Sequence, residues 1–293
     1  MAHVSNPCFG ALPREVEPWM AALGAAEIPV LSRSVMALAR LREFEDRITG
    51  HDIARVLLHD PLFSLRLLRF VQNLRDDART ADITTVEHAL MMLGVTPFFD
   101  RFAGLPTVEA TIGARPLALS GLMRVMSRSH HAALYARDWA EARRDAAANE
   151  VAIAALLHEV AEMLLWCFAP DSALAIERMQ RSAPGFRSSA AQEAVLGFRL
   201  AELQRVLVEE WKLGALLRSL MSDARATQAR AMNVLLAVNL ARHSANGWDN
   251  PALPADYAAI AQLLNFTREQ VMETISRTAE QAEQARDWYL PQS

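Results

Sequence analysis

The chain has only two cysteines in 293 residues, Cys8 and Cys167, far apart in sequence. That excludes a disulfide framework and a cysteine-rich zinc cluster, and it makes a reducing compartment the default. Lysine is nearly absent: Lys212 stands alone among the basic residues, the rest being arginine. This reads as a genome-composition effect. Excess charge of one sign is also missing. A formal net charge of −4 gives no electrostatic argument for a nucleic-acid partner. No stretch approaches the roughly 18 uninterrupted apolar residues of a membrane span. The opening "MAHVSNPCFG" lacks the basic start and apolar run of a secretory signal. A cytoplasmic protein without a membrane partner is therefore expected. Neither a Walker nor a dinucleotide glycine pattern occurs, and there is no internal repeat and no convincing run of two-residue alternation.

What the chain does have is helical periodicity nearly throughout, with 52% hydrophobic residues, enough to bury a substantial core without staples. An all-α fold follows. Helix starts are marked by their own chemistry. Thr49 with Asp52 makes a capping box, and Ile48 and Ile53 flank it at staple positions. Asp60 is a natural N-cap, with Pro61 at the first helical position, where a missing N–H costs nothing. Thr84 with Glu87 and Thr267 with Gln270 repeat the box, and Gly94 suits a helix end. Proline and glycine cluster in "GLPTVEATIGARP", Gly104 to Pro116, which predicts a division near residue 115. Residues 1–115 form an N-terminal helical part and 116–293 a second, with C-terminal helices from about 253. The final helix, from Thr267, is expected to pack back on the chain.

One segment raises a chemical question. "AALLHEVAEMLL", Ala154 to Leu165, is an apolar helix with His158, Glu159 and Glu162 inside it. His158 and Glu162, four apart, share a face of such a helix. Either it is half of a metal site or it is a polar cluster between packed helices, with Arg128 or Arg137 as partner. The zincin motif is absent, because Glu162 stands where its second histidine would be.

Three segments together resemble the HDOD domain, a bacterial relative of the HD phosphohydrolases. They are "DPLFSLRLLRFVQN" (Asp60 to Asn73), "ITTVEHALMMLGV" (Ile83 to Val95), and "AALLHEVAEMLL" with the upstream "SRSHHAALYARDWA" (Ser127 to Ala140). The resemblance begins near residue 25 and runs to about 222. It implies an N-terminal helical bundle packed on a degenerate HD-like helical core. Asp60, Pro61, Arg66, Asn73 and Gly94 then belong to the family's structural signature. The family's usual serine after the asparagine is Leu74 here.

Active relatives hold one or two metals with histidines, a His-Asp pair and a distal aspartate, and such metals activate water against a phosphoryl group. The resemblance places the first histidine at His130 or His131 and the His-Asp pair at His158 and Glu159. Leu200 falls where a further histidine is expected, Met221 and Ser222 where a tandem pair is expected, and Val238 (with Asn239 adjacent) where the distal aspartate is expected. Aliphatic side chains cannot ligate. No catalytic residues, no bound metal and no cofactor are expected, with His131, His158 and Glu159 as the remaining candidate ligands. His130, His131, His158, Glu159 and Glu162 are the candidate binding residues of the altered pocket. Arg66 and Arg69 read either as a phosphate-binding stripe or as a solvated face.

The resemblance thus implies a non-catalytic bacterial signal-transduction or scaffold protein, monomeric or homodimeric, working through protein partners. The alternatives are a nucleotide or cyclic-dinucleotide sensor and a residual metal-dependent phosphohydrolase.

Overall fold

A computed structural model describes residues 13–74, 82–182, 187–221 and 228–290. Among these the chain is helical throughout, with one isolated parallel bridge between Val30 and Thr107. The N-terminal helices are α1 (Val16–Ala25), α2 (Ser32–Arg42), α3 (Gly50–Leu57), α4 (Pro61–Asn73), α5 (Val86–Leu93), α6 (Val95–Arg101) and α7 (Val108–Ile112). The longest helix, α8 (Pro116–Ala142), follows, then α9 (Ala148–Leu157), α10 (Val160–Phe168), α11 (Pro170–Ser182), α12 (Ser188–Leu196), α13 (Leu200–Glu210) and α14 (Ala215–Leu220). The chain ends with α15 (Ala229–Ser244), α16 (Leu253–Leu264), α17 (Arg268–Glu283) and a short 3-10 turn, Arg286–Tyr289.

The local chemistry places most helix starts where the sequence puts them. The Asp52 carboxylate accepts from Thr49 N at 2.9 Å, and Gln270 closes the box on Thr267 N at 2.9 Å. Asp60 caps α4 by accepting from Phe63 N at 3.0 Å, with Pro61 in the first turn. Gly94 ends α5 at φ 85°, in the region a side chain rarely enters. One cap shifts by a residue. Thr85, not Thr84, accepts from His88 N, and Thr84 is buried.

The helices on either side of Pro116 share one apolar core. At its centre α8 packs against α9, α10 and α15, while α4 and α7 bring the N-terminal helices onto α9 and α10. Trp166 of α10 lies so close to Gly121 of α8 that a Cβ there would sit 2.4 Å from its ring. Asp60 is fully buried and does more than cap: its other oxygen accepts from Leu31 N at 2.7 Å and Ser34 Oγ at 2.8 Å, tying α4 to the start of α2. Burial raises its carboxyl to about 6 against those three donors. Arg66 donates to Ile28 O at 2.6 Å and to Glu27, and Arg69 donates to Gly24 O. These arginines form neither a phosphate stripe nor a solvated face; they fasten α4 to the segment before α2. Asn73 is exposed, and the buried amide of that turn is Gln72, which donates to Ile83 O at 2.9 Å.

The C-terminal helices return to the body. On α17, Arg277 and Thr278 bond Asp138 of α8 at 2.8 and 3.2 Å. In the final turn, Trp288 stacks on His59 at 4.8 Å, and the Tyr289 hydroxyl donates to His59 O at 2.9 Å.

The most consequential departure lies in the central apolar segment. It is not one helix. The helical backbone stops at Leu157 and resumes at Val160, leaving His158 and Glu159 at the joint, with Glu159 at φ −109°, ψ 22°. A break inside a core exposes backbone groups that must find partners. Gln204 of α13 supplies them: its oxygen accepts from Ala161 N at 2.8 Å and its amide donates to Leu157 O at 3.0 Å. Residues 148–168 are apolar and long enough to cross a membrane, yet the segment is broken in its middle and mostly buried in the fold.

Candidate functional site

The break projects Glu159 sideways into a cleft between α8, α10, α13 and α15. Glu159 is 6% exposed. A carboxylate so buried needs partners, and it has two arginines. Arg128 of α8 grips it with both ends of its guanidinium, Nε to Oε2 at 2.6 Å and Nη2 to Oε1 at 3.0 Å. The same Nη2 reaches Glu162 Oε2 at 2.6 Å. Arg242 of α15 adds Nη2 to Oε1 at 2.7 Å and Nε to the same oxygen at 3.3 Å. Burial alone would raise the Glu159 carboxyl, but the two guanidinium groups overcome it and hold the group at about 2. The same contacts hold Arg128 above its ordinary value, although burial works against its charge. Both Glu159 oxygens are thus taken by permanent cations.

The cleft has a volume of about 1200 Å³. His158, Glu159 and Glu162 line it, and so do Leu200, Met221, Val238 and Asn239. Ser222 lies outside the described residues. A smaller recess of about 80 Å³ continues between α8, α10, α11 and α12, bounded by Arg124, Gln192 and Trp166.

The two histidines of α8 do not join this group. His130 points the other way. It is 7% exposed, its Nδ1 lies 3.3 Å from Leu58 O, and its ring stacks on His59 at 4.7 Å, the middle of a His130–His59–Trp288 stack. Burial, then the neighbouring His59 and His131, depress its pKa to about 3, so it is neutral. His131 directs Nδ1 to Ser127 O, one turn back on its own helix, at 2.8 Å. Neither lines the cleft. His130 and His131 therefore do not join His158 and Glu159; of the five candidate binding residues only His158, Glu159 and Glu162 line the cleft. Among the described residues no cluster of three metal-ligating side chains occurs. Of the two arginines considered as partners, Arg128 makes the contact, and Arg137 pairs weakly with Glu141 at 4.0 Å.

Sequence reasoning missed Arg242 and Gln204. A signal for both exists. Arg242 lies four residues after Val238 and Gln204 four after Leu200, one helical turn beyond the two apolar replacements and on the same faces.

The lining is basic although the chain is not. Seven arginines face five glutamates in the cleft, in a chain with 34 acidic and 30 basic residues.

Against known proteins, the HDOD domain family model matches residues 28–226. No curated protein matches. Among solved structures, a virulence factor from Campylobacter jejuni is similar with TM-score 0.65 and 15% identity, covering 92% of this chain and 100% of that one. The MmoQ response regulator from Methylococcus capsulatus has TM-score 0.60 and 19% identity, covering 85% and 98%. An HDOD domain protein of unknown function from Geobacter sulfurreducens has TM-score 0.50 and 17% identity, covering 94% and 97%. At these identities the likeness is one of fold.

Proposed function

The chain belongs to the HDOD domain family, and from that premise we propose a bacterial signal-transduction protein that works by binding partners and has given up phosphohydrolase chemistry. The observation that carries this reading is the Glu159 clamp. Glu159 stands where the family resemblance places a metal-binding carboxylate, yet both its oxygens accept from Arg128 and Arg242. A dication there would meet two guanidinium charges within a few ångströms. Leu200 and Val238 of the cleft lining offer no ligand atoms and the Met221 thioether is a poor ligand for a hard dication, and a catalytic metal needs about three protein ligands and an open position. One of the similar folds is described as a response regulator, which accords with a role in signalling. The partner is a protein, received on the helical exterior.

The test has two arms on one cytosolic preparation of the full chain. Phosphodiesterase activity is measured in added Mn²⁺, and partners are captured from native extract at endogenous concentration. The reading expects no turnover and a reproducible protein partner. Turnover lost in His158→Ala, or failure to capture any partner, would overturn it.

A small-molecule sensor is the second reading, favoured by the size and basic lining of the cleft.

A further inference from the structure

The cleft carries more positive charge than its internal pairing uses. Arg128 and Arg242 balance Glu159 and Glu162. Arg124 and Arg181 both converge on Glu177, leaving one charge over. Arg218, exposed on α14, faces no carboxylate within ion-pair distance among the described residues. Low-dielectric walls concentrate such a field inside a concavity.

Arg242 is held differently from Arg128. Arg128 is largely buried and bonds both Glu159 oxygens, whereas Arg242 is 45% exposed and places both its bonds on Oε1, which Arg128 already reaches. If Arg242 turned away, Glu159 would keep a two-point contact. The apolar side chains Leu200, Met221, Leu235 and Val238 offer a surface for the uncharged body of a ligand.

We infer that the cleft is a binding site for a small organic polyanion, carrying two or more phosphate or carboxylate charges, and that Arg242 reads it by exchanging Glu159 for the ligand, with Arg218 as a second contact. The inference rests on the reading that the cleft binds rather than cuts.

The experiment is calorimetric titration of the full chain with inorganic pyrophosphate and, separately, with citrate. A single site is expected for at least one of them. Both binding marks charge as the recognised property; pyrophosphate alone marks phosphate, and citrate alone marks carboxylate. Arg242→Met should weaken binding about tenfold, the loss expected for one charge-assisted contact. Glu159→Gln, which frees Arg242 and Arg128 while preserving shape, should tighten binding, a change that misfolding cannot imitate. Arg277→Met, on the far side of α8, should leave it unchanged. No binding of either anion, equal affinity in Arg242→Met, or weaker binding in Glu159→Gln would overturn the inference. Release of phosphate from pyrophosphate in added Mn²⁺ is a separate readout: it would overturn the non-catalytic reading and leave the anion site standing.

Discussion

Replacing Arg128 with methionine isolates the clamp from everything else in the fold. The substitution keeps an unbranched stem along α8 but removes the guanidinium that bonds both Glu159 oxygens and Glu162. Glu159 would keep only Arg242, on one oxygen, and Oε2 would lie buried without its donor. Removing one partner of a buried ion pair costs ~3–5 kcal/mol, and the lower edge, about 3 kcal/mol, applies because Arg242 still holds one oxygen. For a chain of this size that is a drop in Tm of roughly 6 °C. The sign with pH follows. The folded value lies below the unfolded one, so the clamp's contribution is full above about pH 4.5 and is lost as pH falls towards 2. Arg128→Met should flatten this acid limb as well as lower the melting temperature. Adding Glu159→Gln to it should recover most of the loss, because the uncompensated charge disappears. Thermal melts of the four proteins of this cycle between pH 3 and 7 provide the assay. A Tm within about 1–2 °C of wild type, with the acid limb unchanged, would mean that water solvates Glu159 and that the clamp carries no net stability.

Two further outcomes follow from buried polar groups elsewhere. Gln204→Ala removes the acceptor of Ala161 N and the donor to Leu157 O, so urea unfolding should show a loss of about 3 kcal/mol for two stranded backbone groups; a neutral result would mean the joint is solvated. Asp60 titrates with the opposite sign to Glu159. Its folded value of about 6 exceeds the unfolded 3.8, so its contribution falls as pH rises between them, and the stability advantage of wild type over Asp60→Asn should be larger at pH 4 than at pH 7 by about 2 kcal/mol. An equal advantage at both pH values would show that the three donors outweigh burial.

What could be read in advance was local. Thr49 with Asp52, Asp60 with Pro61, and Thr267 with Gln270 act within one turn of themselves, so four or five letters contain the whole interaction. What could not be read came from across the fold. The break at His158 and Glu159 looks like continuous helix because its repair comes from Gln204, more than forty residues away. His130 looks like a cleft residue until Trp288 and His59 show that its ring is packed against the other wall of α8. Arg66 and Arg69 look like surface charge because their acceptors, Ile28 and Gly24 carbonyls, are backbone atoms that no residue type announces. The candidate site was legible in its carboxylates and illegible in its cations. Glu159 and Glu162 stand out in an apolar run, whereas Arg242 is one arginine among many until α15 brings it onto Glu159.

If Arg128 and Arg242 stand at Glu159 in place of a metal, a calorimetric titration of Mn²⁺ into the metal-stripped full chain at neutral pH will show no saturable binding in wild type. Stoichiometric binding of Mn²⁺ to wild type, abolished by Glu159→Gln, would contradict it.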